Sequence, residues 1–341
     1  MRRARVLRRA RVLLIFVAAF LLGAGAAYFW HAVPGRTAPE APATASSEAG
    51  SDSDAQDERR WPDDAGSPEE VMYAQPERMR EAIARLAPRT SGKVNLYLIA
   101  FAADGEEDVF RNEAEYVVRL FRERFDAAGH TLLLVNHPAT LARLPLASLS
   151  NLETAVAAVS ERMDPAQDIL FLLLTSHGSR DHVLYVSMDP LPMDQIGPDD
   201  LADLFGKYPV RNKVIVISAC YSGGFIDALK DDATLLITAA RADRASFGCG
   251  NDSDITDFGR AFFVEGLNHH DSFAAAFAEA NRLIDEWESR SGEEHSYPRW
   301  VSTPRIEAAL ATWRAGLRLG PPVPFAPAPK TDAGESLTVS R

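Results

Sequence analysis

Short apolar runs alternate with amphipathic segments through the middle of the chain. The runs are rich in leucine or β-branched residues and are bounded by polar residues, which is typical of buried strands. They lie at 94–101, 131–135, 168–175, 213–217 and 234–238. The segments around them place apolar residues three or four positions apart, which predicts helices. These helices are expected at 77–86, 113–125, 152–163, 198–205, 221–229, 258–267 and 271–287.

Regular alternation of strands and helices is typical of α/β proteins. Because a crossover helix returns the chain to the start of the next strand, the sheet is expected to be mostly parallel and covered on both faces. The predicted fold is therefore an α/β three-layer sandwich with a mostly parallel central sheet flanked by helices. In such sheets a ligand-binding crevice lies at the carboxyl ends of the strands.

The N-terminal 30 residues have the pattern of a membrane anchor. Residues 1–11 contain six arginines and no acidic residue, and residues 12–30 carry no charge. At about 1.5 Å per residue, the second segment can cross a hydrocarbon core of about 30 Å. The positive-inside rule predicts a single-pass signal anchor in the cell membrane, with a cytoplasmic N-terminus and the rest periplasmic or extracellular. The alternative is a cleavable signal peptide, since residues 24–26 resemble a cleavage site.

Composition divides the rest of the chain into three segments. Residues 31–67 and 317–341 are rich in proline, alanine and small polar residues, which predicts a disordered linker and a disordered tail. One folded domain is expected between them, at 68–316. The 341 residues are 46% hydrophobic, enough for a sizeable core, and the net charge of −12 offers no basic surface. No nucleic-acid partner is therefore expected.

Two residues with catalytic potential follow neighbouring strands of the predicted sheet. His177 comes directly after the run at 168–175, and Cys220 comes directly after the run at 213–217. A right-handed crossover places these strand ends side by side, which favours a nucleophile and base pair. The helix predicted after Cys220 would favour its thiolate, and His177 could take the thiol proton.

Less specific interpretations of the same residues stay open at this point. A cysteine that ends an apolar strand is more often a buried core residue, and a histidine before a glycine is usually a turn residue. The chain has two cysteines, Cys220 and Cys249. In an oxidising exported compartment these could form a disulfide, which would exclude Cys220 from catalysis.

Three segments resemble the legumain-type cysteine peptidases, particularly the bacterial members of that family. They are TSHGS at 175–179, SACYSGGF at 218–225 and ITAARADRASFGC at 237–249. The resemblance implies a caspase-like fold and a His–Cys dyad, with His177 as general acid and base and Cys220 as nucleophile. It also implies an oxyanion hole formed by the backbone N–H groups of Gly178 and Cys220. A thioester intermediate would be resolved by water or by an amine, and neither metal nor cofactor is needed.

The chain departs from the family pattern at positions that would contact the substrate. Tyr221 follows the cysteine where the family has an acidic residue, and Ser176 precedes the histidine where the family has Asp. Asp252 matches the spacing of a further pocket acid, although a solvated loop residue is the alternative. The Asn that the family carries after the first strand has no match, and Asp104 is a candidate substitute. Asparaginyl specificity is therefore not implied.

These observations together predict a membrane-tethered cysteine endopeptidase that acts on a peptide or protein and has a possible transpeptidase activity. The predicted nucleophile is Cys220 and the predicted base is His177. The alternative is a catalytically silent binding module with the same fold, because the substrate-contacting positions Ser176 and Tyr221 are altered.

Overall fold

The computed structural model describes residues 61–208 and 210–327. The predicted anchor at 12–30, the arginine-rich segment before it and most of the predicted linker lie outside the described residues. Within the described ranges, no helix is both long enough and apolar enough to cross a membrane.

The described residues form one six-stranded sheet. Its strands are β1 Leu96–Ala102, β2 Thr131–Val135, β3 Ile169–Thr175, β4 Asn212–Ser218, β5 Thr234–Thr238 and β6 Arg299–Val301. They are arranged in the order β2-β1-β3-β4-β5-β6. Strands β1 to β5 run parallel, and β6 pairs antiparallel with β5. The five predicted strands are confirmed, whereas β6 was not predicted because its three residues form no apolar run.

The helices of the described residues follow the predicted alternation, with two additions. They are α1 Pro68–Tyr73, α2 Gln75–Ala84, α3 Asp108–Glu123, α4 Leu149–Arg162, α5 Pro198–Lys207, α6 Ile226–Leu229, α7 Asp257–Gly259, α8 Phe273–Ser291 and α9 Pro304–Ala315. A π-helical segment at Arg260–Leu267 continues α7. The additions are α1 and α9; the side chains of Ser67 and Thr303 cap them, each accepting a backbone N–H of the first turn.

Apolar side chains alternate between the two faces of the sheet, and helices cover both. One face packs against α3, α8, α9 and the π-helical segment, and Phe171 lies among their aromatic rings. The other face packs against α2, α4 and α5. Strands covered on both sides are apolar throughout, which is why β3 and β4 are continuous apolar runs. The predicted three-layer sandwich is confirmed.

The segment after Cys220 differs from the helix predicted at 221–229. Tyr221 has a left-handed backbone with φ of 56°, and a short 3-10 turn at Ser222–Phe225 follows it. Gly223 lies so close to the next loop that an added Cβ would be 2.5 Å from the backbone nitrogen of Ala242. The α-helical part is the single-turn α6, which begins only at Ile226. The predicted α-helix from residue 221 is therefore wrong at its start, and a 3-10 turn lies between Cys220 and α6.

Residues after α9 pack on the domain instead of beginning the tail predicted from residue 317. Val323 is only 2% exposed, and its carbonyl accepts a hydrogen bond from the Tyr116 hydroxyl at 3.2 Å. The ring of Phe325 contacts the edge of the Tyr116 ring. The proline-rich sequence suggested disorder, but prolines also hold the chain extended. In this extended segment Val323 and Phe325 reach the surface of α3, so the domain extends beyond residue 316.

Candidate active site

The pairing of β3 with β4 brings the two motif segments together. Thr175 is in register with Ser218, and the backbone N–H of Ser176 donates to the Ser218 carbonyl at 3.3 Å. Beyond the strand ends, Gly178 lies against the backbone of Cys220. A Cβ added to Gly178 would be 2.1 Å from the Cys220 carbonyl oxygen, so only glycine fits this position without a shift.

Cys220 has its Sγ beside a backbone N–H and a second thiol. The N–H of Ser246 donates to Sγ at 3.2 Å, and Sγ lies 3.3 Å from the Ser246 carbonyl oxygen. The neighbouring Cys249 thiol is the largest influence on the pKa of Cys220. Together with the Ser246 N–H and nearby His177 it outweighs burial and lowers that pKa. The same contact raises the pKa of Cys249. Both cysteines are free thiols, so the structure does not contain the alternative disulfide.

His177 lies between a carboxylate and an aromatic ring. Its Nε2 is 3.2 Å from Glu107 Oε2, and its ring meets the edge of the Phe110 ring at a centroid distance of 5.0 Å. Burial lowers the pKa of His177, but the close contact with the Glu107 carboxylate and the charges of Glu107 and Asp104 outweigh burial, so the net shift is upward. The site therefore favours the protonated imidazole.

Glu107 was not found by sequence reasoning. It directly precedes α3, in the loop that follows β1, and no motif marks it. Asp104, the candidate substitute for the family's Asn, lies in the same loop. One ligand atom each from Asp104, Glu107 and His177 lies within 4.8 Å of the others, so these three side chains could hold a cation. The closer contact to His177 is made by Glu107, while Asp104 Oδ1 accepts the Glu106 N–H at 2.8 Å.

The predicted substrate-contacting residues have different surroundings. Ser176 is buried, and its hydroxyl donates to the Tyr185 carbonyl at 2.5 Å. The Tyr221 ring lies below the Arg180 guanidinium, 5.3 Å away. Asp252 is exposed in a turn closed by the Ser253 N–H and the Gly250 carbonyl.

Two hollows border the pair, and each contains one of the two candidate residues. A shallow hollow of about 10 Å³ is lined by Ser176, Ser218, Ala219, Cys220, Ser246, Phe247, Cys249 and Thr256. A larger hollow of about 440 Å³ is lined by Asp104, Glu106, His177, Tyr185, Val186, Ser187, Asp189, Leu191, Met193 and Gln195. Neither Tyr221 nor Asp252 lines either hollow, whereas Ser176 lines the one at Cys220.

The predicted oxyanion donors are not used by other backbone groups. In the described part of the chain, no backbone carbonyl accepts a hydrogen bond from the N–H of Gly178 or from that of Cys220. Because Gly178 lies directly against Cys220, both donors are close to the nucleophile. This arrangement is compatible with stabilising a developing oxyanion.

A buried carboxylate lies beneath the strand ends. Glu113, on α3, is fully buried, and its Oε2 accepts the Thr256 hydroxyl at 2.5 Å. The Thr256 hydroxyl is also 3.1 Å from that of Ser218, the last residue of β4. Burial raises the pKa of Glu113 to about 7, although the hydroxyl hydrogen bonds oppose the shift. Sequence reasoning missed this residue because its position in an amphipathic helix looked ordinary.

The Peptidase C13 family model matches residues 151–306. The resemblance to legumain-type peptidases is confirmed. The matched residues include His177, Cys220 and Cys249, and also Thr256, which contacts Glu113. Strand β1 and the loop that carries Asp104 and Glu107 precede the matched residues. A search of curated proteins gives no match.

Two solved caspase structures are similar to this chain. One is the crystal structure of caspase-1 from Spodoptera frugiperda, with a TM-score of 0.42 and 14% identity, covering 64% of this chain and 90% of that one. The other is the structure of pro-sf-caspase-1, with a TM-score of 0.42 and 13% identity, covering 64% of this chain and 92% of that one.

Proposed function

We propose that this protein is a cysteine peptidase with Cys220 as nucleophile and His177 as general acid and base. The observation that carries the proposal is the juxtaposition of the two motif segments, with Gly178 in contact with the Cys220 backbone. The lowered pKa of Cys220 and the raised pKa of His177 support it, since both shifts favour a thiolate–imidazolium pair. The family match over residues 151–306 also supports it.

The proposed reaction begins when the Cys220 thiolate attacks the carbonyl carbon of a peptide bond. The carbonyl π electrons move to oxygen, and the resulting oxyanion accepts hydrogen bonds from the backbone N–H groups of Gly178 and Cys220. The C–N bond then breaks, and the His177 imidazolium gives its proton to the leaving amine. Water or another amine next attacks the thioester, His177 takes the attacking group's proton, and the thiolate is released. Water gives hydrolysis, and an amine gives transpeptidation.

The decisive test is cleavage of a peptide library by the full chain and by single variants. Cys220→Ala and His177→Ala are each expected to lower turnover by at least about 10³-fold, because each removes a reacting group. His269→Ala is the matched control, since His269 is an exposed histidine outside both hollows. Cleavage that persists in a clean Cys220→Ala preparation would overturn the proposal.

The second candidate is a binding module that has kept the fold but not the activity. It is favoured by Ser176, whose hydroxyl is engaged by the Tyr185 carbonyl where the family places an acidic residue. Alkylation by iodoacetamide distinguishes the two, because an activated Cys220 reacts rapidly below pH 7. A wild-type Cys220 that reacts no faster than an ordinary thiol, in a protein that cleaves no peptide, would favour the binding module.

We further propose that residues 12–30 tether the protein to the membrane, with the catalytic domain on the exported side. The length and lack of charge of this segment, after six arginines, support the proposal. Extraction of membranes at alkaline pH tests it. The full chain is expected to stay in the pellet, and release into the supernatant would contradict an uncleaved anchor.

A further inference from the structure

The larger hollow is lined by three acidic side chains, and His177 is the one basic side chain among the lining residues described. Asp104, Glu106 and Asp189 line it, and no lysine or arginine does. In the described part of the chain, none of these three carboxylates forms an ion pair with a lysine or an arginine. Because three carboxylates face one imidazole, the lining of the hollow carries a net negative charge even when His177 is protonated.

Asp104 makes this charge unusual, because its carboxylate is not on the open surface. The residue is 4% exposed, and only its Oδ1 accepts a hydrogen bond, from the Glu106 N–H. No donor among the described residues reaches Oδ2. Burial is the largest influence and raises the pKa of Asp104 to about 6, while the Glu106 N–H and the nearby His177 oppose this rise. Asp104 Oδ2 can accept a hydrogen bond from a cationic group that enters the hollow, which would stabilise the buried carboxylate.

The rest of the hollow suits the stem of a long side chain rather than a bare ion. Leu191 and Met193 contribute apolar surface, and Tyr185 is 50% exposed beside them. Lysine and arginine bury their methylene stems against such surface while their charged ends reach carboxylates. The volume of about 440 Å³ leaves room for a side chain of this length.

The position of the hollow relates it to one side of the scissile bond. His177 lines it and Cys220 does not, whereas Cys220 lines the shallow hollow and His177 does not. In the proposed reaction the carbonyl carbon lies at Cys220 Sγ, and the leaving amine receives its proton from His177. On this basis we infer that residues that follow the scissile bond lie on the side of the larger hollow.

We propose that the larger hollow binds a lysine or arginine side chain of the substrate, on the leaving-group side of the scissile bond. This assignment rests on the proposed peptidase function, since only the proposed reaction relates the hollow to the leaving-group side of the scissile bond. The recognition elements are the carboxylates of Asp104, Glu106 and Asp189, and the apolar contacts are Leu191 and Met193.

The test uses peptides that are identical except at the two positions after the scissile bond. Lysine and arginine are compared there with norleucine and citrulline, which keep the length of the side chain and remove its charge. The detergent-solubilised full chain is expected to show kcat/KM at least about ten-fold higher for the charged member of each pair. Asp189→Asn and Glu106→Gln should each reduce this ratio, and the double variant should bring it close to one.

Asp203→Asn is the matched control, because Asp203 is an exposed acid on α5 that does not line the hollow. It should leave the ratio at its wild-type value. A ratio of one in the wild type, with cleavage still abolished by Cys220→Ala, would overturn the basic subsite and leave the peptidase function intact. An equal fall of the ratio in Asp203→Asn would also overturn it, since it would indicate a general effect of net charge.

Binding provides a readout that does not depend on turnover. The Kd of Cys220→Ala protein for a fluorescent lysine peptide should be about ten-fold lower than for its norleucine twin, and Asp189→Asn should remove the difference. Equal affinities would overturn the proposal even if no peptide were cleaved. If Ca²⁺ or Zn²⁺ alone binds in an Asp104-dependent manner and the peptides bind equally, the hollow is an ion site and the proposal fails.

Discussion

At the scale of single residues, the contact between Glu107 and His177 decides how the candidate base is held. The carboxylate lies 3.2 Å from Nε2 and is itself only 18% exposed. A partly buried carboxylate fixes the orientation of an imidazole ring and favours its protonated form. In the proposed reaction Glu107 would therefore be a positioning residue that acts through His177.

Glu107→Gln keeps the shape of this contact and removes its charge. The pKa of His177 should fall, because the group that raises it is lost. The alkaline limb of the kcat/KM profile, which reports loss of the imidazolium, should therefore move to lower pH. We expect kcat/KM at its optimum to fall about 10- to 100-fold, a part of the total that general acid–base catalysis supplies.

The control for this change is Glu161→Gln, at an exposed position on α4. Its pH profile should overlay that of the wild type. A profile of Glu107→Gln that is lowered at all pH values without movement of the alkaline limb would contradict the electrostatic role and indicate a steric one.

At the scale of elements, Glu113 connects α3 to the end of β4 and to the loop before α7. The connection runs through the hydroxyls of Thr256 and Ser218. Gly259 is required beside it, since an added Cβ would be 2.1 Å from Glu113 Oε2. The loop from 245 to 256 carries Ser246, whose N–H donates to Cys220 Sγ, and Cys249, which lines the same hollow as Cys220. The buried carboxylate therefore helps to hold the surroundings of the proposed nucleophile.

Glu113 also makes stability depend on pH. Its folded-state pKa is about 7, above the value of 4.5 for an unburied glutamate. Between these values the folded protein binds more protons than the unfolded chain, so the contribution of Glu113 to stability falls as the pH rises from 4.5 through about 7. The total loss is about 3 kcal/mol.

Urea unfolding at pH 5 and pH 8 measures this effect. From pH 5 to pH 8 the free energy of unfolding should fall by up to about 3 kcal/mol more for the wild type than for Glu113→Gln, because glutamine stays neutral throughout. Glu115→Gln, on the same helix but partly exposed, should behave like the wild type. Parallel pH profiles for the wild type and Glu113→Gln would show that Glu113 does not titrate in this range.

At the scale of the whole domain, the segment after α9 attaches the C-terminal end of the described chain to α3. Arg124 Nη1 donates to the Gly320 carbonyl at 2.6 Å, and Asn268 Oδ1 accepts the Val323 N–H at 2.6 Å. With the buried Val323 side chain, these contacts join residues that are far apart along the chain. Their loss would expose apolar surface of Tyr116 and the π-helical segment.

A chain that ends at residue 316 should therefore be less stable than one that ends at residue 327. We expect a difference of about 2–4 kcal/mol in the free energy of unfolding, from one buried aliphatic side chain and several hydrogen bonds. Urea unfolding of the two proteins measures it. Val323→Ala in the longer chain should account for about 1–2 kcal/mol of the difference. Equal stabilities would show that the segment does not contribute.

The sequence by itself determined the sheet and the placement of the proposed dyad. The apolar runs that became β1 to β5 are buried on both faces, so their pattern follows directly from their environment. His177 and Cys220 directly follow two of these runs, and adjacent parallel strands must end at the same edge of the sheet. Local pattern and chain topology were sufficient for both conclusions.

Only the tertiary structure decided what surrounds that pair. Glu107 and Asp104 come from the loop after β1, and Ser246 comes from a loop after β5, so no short motif relates them to His177 or Cys220. A left-handed residue at Tyr221 and a 3-10 turn lie where a helix was predicted, and Gly223 in that turn packs closely against the backbone at Ala242. Residues far apart in sequence meet through packing of separate elements, and it is this packing that sets the charge, the pKa values and the acidic hollow at the site.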